Sequence, residues 1–430
     1  MKQIRLTIND FAVDIDDILK WTVKFVFIVF LYYAMFSRDQ GLFGLSGGMA
    51  ASFISFILFI LSMTYSIFFK KQFIISQLAA LTIIFLAFIA ITPVISTFIF
   101  DLNPRISLRL MIEVAVVVFI FLAVYNMIRA RIITPKFFLY ALAIVGVIAA
   151  LMTIVNLIGE IAIRRVRSIG GVNYIGNTFA MSALIWLMIY YSYSSKDQIN
   201  RKFGLIVICG FLIMFVAMLI TGTRSAAVAF FTGITLLMYF GMKREDVKKY
   251  LVIIFVVIFV SIAILAMNFD LTRLFERYTM EQIARMANIR FDIYARSVTD
   301  LSLIEFLVGR PDFYIFGSGQ SGARMINTHN LLLSLIRYHG IFVLIIFISL
   351  LSAVIINYLR LYASRRQVLK FRFTESTIVV LLTMVLIYTM LSGGRPTRAF
   401  SFFVILGYLA GYFELLKNIR SEEEYKKMII

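Results

Sequence analysis

Long apolar runs alternate with short polar breaks along most of the chain. A helix crossing a bilayer needs about 20 consecutive, mostly apolar residues. By that measure the pattern predicts about twelve spans, over 20–37, 49–69, 73–92, 110–128, 136–158, 178–194, 203–220, 225–242, 250–268, 341–359, 376–392 and 399–417. The run from Trp21 to Phe36 reads as a first span and not as a cleavable signal peptide. The predicted fold is therefore an all-α polytopic integral membrane protein. One polar break is long, from Phe269 to Thr328. Within it, 271–278 and 280–290 mix apolar and charged residues at three- and four-residue spacing, which predicts short amphipathic helices able to lie flat on a membrane surface. Gly309 to Gly322 reads as an irregular turn. The apolar stretch from Asn330 to Ile336 is too short to span and reads as a buried half-helix.

Composition agrees: 61% of the residues are hydrophobic and 15% charged, against roughly 25% charged in soluble domains. Cys209 is the single cysteine, which excludes an internal disulfide and a cysteine metal cluster. The formal charge of +19 would suit a nucleic-acid binder, but its distribution argues otherwise. If the predicted spans alternate in direction, every lysine falls on the side of the two termini. Positive residues are retained in the cytosol, so both termini are expected there. The division that follows is 1–268 (nine spans joined by short loops, the external ones bearing arginine), 269–340 (a large external loop) and 341–430 (three spans and a cytosolic tail). The external side lacks lysine yet carries many arginines, among them Arg105, Arg109, Arg164, Arg165, Arg167, Arg224, Arg290, Arg296, Arg310, Arg324, Arg337, Arg395 and Arg398. Arginine's planar fork suits bidentate phosphate recognition in a way that lysine's point charge does not. Pairing with external carboxylates such as Glu160, Glu276, Asp292 and Asp312 is the competing explanation, and Glu113 reads as a buried partner for Arg109.

An arginine-rich external face at a lipid surface suits transfer from a polyprenyl pyrophosphate. The leaving group is already a stable anion and needs positive charge; the attacking sugar hydroxyl needs a base. No Asp-x-Asp occurs in the external segments, so the expected set is histidine plus arginine without metal. His329, at the boundary between loop and membrane, is the candidate base, with Asn330 beside it to orient the acceptor or the imidazole; a helix-capping role is the plainer alternative. His339, before Gly340 at a turn, is the weaker candidate, with an interfacial structural role as the competing explanation. Arg164, Arg165 and Arg167 precede Gly170-Gly171 and a helix start, where backbone N–H groups can receive an anion. Arg224 lies in Thr221-Gly-Thr-Arg-Ser225, a tight turn between two spans. Arg290 and Arg296 flank Asp292 on a predicted helix.

Four passages resemble the bacterial O-antigen ligase and polysaccharide polymerase superfamily: Arg167 to Asn177, Thr221 to Ser225, Arg290 with Tyr294, and Gly309 to Gly340. The resemblance covers 164–344. It implies an undecaprenyl-pyrophosphate-linked glycan donor, an external active site in a bacterial inner membrane, and metal-free transfer with inversion at the anomeric carbon. It makes His329 the base and Arg167, Arg224 and Arg290 the pyrophosphate ligands. It further implies membrane lipids as surroundings, a glycan or lipid A core as acceptor, and a chain-length regulator as a compatible partner. The ligase pattern (His-[Asn/Ser/Gln], nine residues, Gly-x-x-[Gly/Thr/Tyr]) is met by His329, Asn330 and Gly340 but not by Val343. The polymerase pattern (Arg, ten residues, Gly) is met by Arg165 and Gly176. A polymerase is the expectation and a ligase the alternative. A transporter of a lipid-linked glycan or small anion is the alternative of another class.

Overall fold

The computed structural model describes residues 5–8, 11–36, 47–68, 75–159, 172–194, 201–221, 223–240, 244–268, 279–311, 330–365, 380–387, 389 and 400–417. A short antiparallel hairpin, β1 (Arg5–Ile8) and β2 (Phe11–Asp14), leads into α1 (Ile15–Leu31), whose last turn widens into a π-helical turn at Tyr32–Phe36. The hairpin departs from the all-helical expectation. It forms outside any predicted span, where polar and apolar residues alternate over Arg5–Ile8 and Asn9-Asp10 supplies a turn signal before Phe11–Asp14. The helices α2 (Gly47–Phe68), α3 (Gln77–Phe100), α4 (Pro104–Arg129), α5 (Pro135–Gly159), α6 (Val172–Ser194), α7 (Arg201–Ile220), α8 (Arg224–Phe240) and α9 (Arg244–Asn268) follow. Then come α10 (Met280–Thr299), α11 (Leu303–Val308), α12 (Leu331–His339), α13 (Ile341–Arg365), helical residues 380–387 and α14 (Phe400–Lys417).

Among the described residues, eight helices are long and apolar enough to cross a membrane, and three shorter apolar helical stretches lie in α6, α8 and α9. The chain is a multi-pass membrane protein by that measure. The predicted span at 73–92 stops short of the observed α3, which continues through Pro93 to Phe100. Proline breaks helices in water because it lacks an N–H. Here the hydroxyls of Thr97 and Ser107 both donate to the Pro93 carbonyl, at 2.8 and 2.9 Å. The group that the missing N–H leaves without its helical donor is the Ile89 carbonyl, four residues back, whereas the two hydroxyls hold the carbonyl of Pro93 itself.

The centre of the bundle is α14, buried along nearly its whole length. Gly407 and Gly411 face the backbone of α4, and a Cβ at either would lie 2.7 Å from the Phe121 carbonyl oxygen or 2.8 Å from that of Tyr125. Four-residue spacing of glycines lets two helices approach to backbone contact, the usual packing device in a membrane. On the other side of α14, Tyr408 stacks on Phe138 of α5 with ring centroids 4.4 Å apart.

Adjacent helices fix which ends lie together. The Tyr125 hydroxyl near the end of α4 accepts from the Ser76 N–H at the start of α3, while Ser107 at the start of α4 reaches Pro93 near the end of α3. The start of α6 meets the end of α7 at Gly176 and Thr221, and the Thr178 hydroxyl donates to the Met35 carbonyl at the end of the π turn, 3.0 Å away. One rim of the bundle therefore holds the ends of α1, α3 and α7 and the starts of α4, α6 and α8.

Candidate functional site

At that rim, α7 ends at Ile220 and α8 begins at Arg224, with Thr223 capping the new helix: its carbonyl accepts from Ala226 and Ala227. Thr221, Thr223 and Ser225 are buried, and Arg224 is half-buried. Gly176 in the first turn of α6 sits against this turn so closely that a Cβ would lie 2.6 Å from the Thr221 hydroxyl and 2.9 Å from that of Thr223. Next to it, Asn177 is buried, and its Oδ1 has no hydrogen-bond partner among the described residues. Two passages far apart in sequence, 172–177 and 221–225, are thus one structural unit. It carries a guanidinium at a helix N-terminus, where backbone N–H groups and the helix dipole both favour an anion.

A second unit forms around α11 and α12. Ser302 and Glu305 make a reciprocal capping box at the start of α11, with the Glu305 carboxylate accepting from the Ser302 N–H at 2.9 Å. The other carboxylate oxygen of Glu305 accepts from Arg310 Nη1 at 2.8 Å, and the Arg310 guanidinium lies over the Phe100 ring. Burial by itself pushes Glu305 up, but the hydrogen bonds from Arg310 and Ser302 outweigh it and hold the carboxyl below its ordinary range.

Gly309 ends α11 and Gly340 ends α12, both at φ +82° with extended ψ, a region open in practice only to glycine. They meet directly. A Cβ on Gly309 would lie 2.6 Å from the Gly340 nitrogen, and one on Gly340 would overlap the Leu307 carbonyl, 2.6 Å from its carbon. Hydrogen bonds tie the contact to its surroundings. The Arg310 N–H donates to the Arg337 carbonyl at 2.7 Å, and the Ser96 hydroxyl of α3 donates to the Gly309 carbonyl at 2.9 Å. His339 is buried, with Nδ1 3.1 Å from the Thr92 hydroxyl.

Among the described residues Arg337 is the largest fully buried side chain, 1% exposed, and its Nη1 donates to the Arg296 carbonyl of α10 at 3.4 Å. Burial pushes its guanidinium down, opposed by Tyr338, Asp300 and Glu305; arginine's ordinary value is high enough that it keeps its charge. Sequence reading placed Arg337 among the external arginines without a role. Its burial depends on α10 and α11 folding over α12, which no local pattern announces.

Of the residues expected at the site, Asn330 is the N-cap of α12: its Oδ1 accepts from the Leu332 and Leu333 N–H groups at 2.9 and 3.2 Å. Arg290 lies on α10, the helix that packs against α12. Arg109 pairs with Glu113 one turn along α4 at 3.5 Å, as expected, with the arginine largely exposed. His329, Arg164, Arg165 and Arg167 lie outside the described residues, as do Gly317, Gly319, Gly322, Arg324, Arg395 and Arg398. Among the described residues no three His, Cys, Asp or Glu side chains gather as a metal site requires. No protein-family model matches the chain, and no curated protein matches it.

Proposed function

We propose that the chain is a membrane glycosyltransferase that polymerises undecaprenyl-pyrophosphate-linked oligosaccharide on the external face of a bacterial cytoplasmic membrane. The observation that carries this reading is the packing of Gly176 against Thr221 and Thr223, which joins two of the four passages of the resemblance around Arg224 at the start of α8. In this reading the chain takes a twelve-span path with cytosolic termini and an external 269–340 segment, a path supported by the lysines all falling on one side of it.

In this reading the acceptor sugar hydroxyl attacks the anomeric carbon of the donor glycan. A C–O bond forms as the C–O bond to the pyrophosphate breaks, and undecaprenyl pyrophosphate leaves with the bonding pair. His329 takes the hydroxyl proton. Arg167, Arg224 and Arg290, with Arg164 and Arg165 nearby in sequence, hold the leaving pyrophosphate by charge-assisted hydrogen bonds. Asn330, next to His329 in sequence, orients the acceptor or the imidazole in this reading.

The test is a reaction of purified protein with an undecaprenyl-pyrophosphate oligosaccharide, with and without lipid A core. A ladder from donor alone supports a polymerase. Product only with lipid A core makes the protein a ligase, and no product in either condition returns the weight to a transporter. His329→Ala should abolish transfer while the protein stays in the membrane; retained transfer overturns its role as base. Chelation should leave transfer unchanged, and inhibition reversed by a divalent cation would overturn the metal-free scheme.

A further inference from the structure

On α10, Met280, Ala284, Phe291, Ala295 and Val298 follow one another at spacings of four, seven, four and three residues, which places them on one face of the helix. All are exposed, Met280 at 82% and Phe291 at 69%. Glu281, Arg285, Asp292 and Arg296 repeat at four, seven and four residues and form the adjoining polar face. A third face carries Ile293 and Ser297, both buried. Among the described residues, the helix therefore has one side for the protein, one polar side and one exposed apolar side.

The apolar side does not stop at the end of α10. In α11, Leu303 is 75% exposed and Ile304 is also exposed. The Gly309–Gly340 contact and the Ser96–Gly309 hydrogen bond hold α11 beside the end of α3 and the start of α13. There Phe98, Ile99 and Phe342 are likewise exposed. These last residues belong to helices of bilayer length, so lipid is what covers them. Exposed apolar side chains thus occur on α10, on α11 directly after it, and at the neighbouring ends of two helices of bilayer length. An isolated strip of this size facing water would be a liability, whereas an amphipathic helix beside a bilayer gains by burying its apolar face at the boundary of headgroups and acyl chains.

We propose that α10 is an interfacial helix, docked on the membrane through Met280, Ala284, Phe291, Ala295 and Val298, with its occupant the lipid surface of the bilayer that holds the bundle. Glu281, Arg285, Asp292 and Arg296 face headgroups and water. Its C-terminal end is pinned to the protein by Arg337, through the Arg296 carbonyl. The assignment rests on the multi-pass bundle and not on the transferase reading, so the two can fail separately.

The full chain carrying Cys209→Ser has no other cysteine, so single cysteines can be labelled with a bimane fluorophore and the protein reconstituted in phosphatidylcholine vesicles. Ala284→Cys and Phe291→Cys report the apolar face, Asp292→Cys the polar face, and Phe98→Cys a lipid-facing reference. Ala284→Cys is a small change at an exposed site and does not threaten folding. Two quenchers are compared: a lipid with a nitroxide on the acyl chain near the headgroup, and aqueous iodide. The apolar-face labels should be quenched by the nitroxide lipid at least about twofold more than the Asp292→Cys label, as Phe98→Cys is, with the order reversed for iodide. Apolar-face labels quenched mainly by iodide would overturn the proposal by placing that face in water. Labels shielded from both quenchers would overturn it by showing that protein, from this chain or a second copy, covers the face.

Discussion

Replacing Gly340 with alanine should be among the most destabilising single-methyl changes available to this protein. The position is at φ 82°, ψ 172°, a backbone conformation that costs a non-glycine residue about 1–3 kcal/mol. The added Cβ would also land on the Leu307 carbonyl and lie 2.8 Å from the Val308 carbonyl carbon. These are main-chain atoms that no rotamer change can move, so an overpacking cost of about 1–3 kcal/mol applies as well. The sum, roughly 2–6 kcal/mol, is a large share of the 5–15 kcal/mol typical of a folded domain. Gly233→Ala is the internal control. Its Cβ would meet the Met384 sulfur at 2.7 Å, but that side chain is flexible and the backbone is helical, so the change should stay within about 1 kcal/mol of wild type. Equilibrium unfolding in mixed micelles, driven by increasing SDS mole fraction and followed by fluorescence, compares the two. A Gly340→Ala loss no greater than that of Gly233→Ala would refute the reasoning, because it would mean that α11 and α12 are not locked together at their glycine ends.

The same assay tests the two arginines of that unit: Arg337→Lys should cost about 1.5–3 kcal/mol, because a buried guanidinium loses its bond to the Arg296 carbonyl, whereas Arg310→Lys, at a partly exposed pair, should cost less than about 1 kcal/mol; the reverse order would show that Arg337 is not held as described. Glu305 has a depressed folded-state pKa, so its stabilising contribution is complete above the unfolded value of about 4.3 and is lost as pH falls through the lower folded value. Glu305→Gln should therefore lower stability at neutral pH and flatten the acid limb of the stability curve, and an unchanged acid limb would discount the Arg310 pairing. Gly411→Val should push α14 off the Tyr125 carbonyl and cost about 1–3 kcal/mol or more, visible as a shift of the SDS midpoint, with no shift arguing against backbone contact. Arg224→Lys should impair glycan transfer although the charge is kept, since an ammonium cannot present two parallel donors to a phosphate, and wild-type transfer would argue against a bidentate role.

The apolar helices were legible because a bilayer imposes a length and composition that a sequence must display. The far end of α3 was hidden by Pro93, whose helix-breaking habit holds in water, whereas α3 runs on through it to Phe100. The Thr221–Ser225 turn was legible because polar residues interrupt two apolar runs; its closeness to Gly176 was not, because the two are joined only by helix packing. Gly340 was visible as a turn, but its partner Gly309 and the supporting Ser96 lie in other elements, and Ser96 is one of three hydroxyl residues, with Thr92 and Thr97, in the last turns of an otherwise apolar helix. Asn330 illustrates the opposite problem. Its type suits both a site and a helix start, and the geometry shows the helix cap at work.

The burial of α14 against α4 also sets an order of events during synthesis. The glycine at 411 seats on Tyr125, so 411 − 125 = 286 residues must be made between the two halves of the central contact. At translation rates of about 5–20 residues per second that is roughly 15–60 seconds. Throughout that interval α4 is in the membrane without its main partner, and the groove for α14 is open to lipid or to other nascent helices. Truncations or stop codons near the C-terminus would therefore remove the helix that closes the bundle, and a quality-control protease would meet a centre that had never formed.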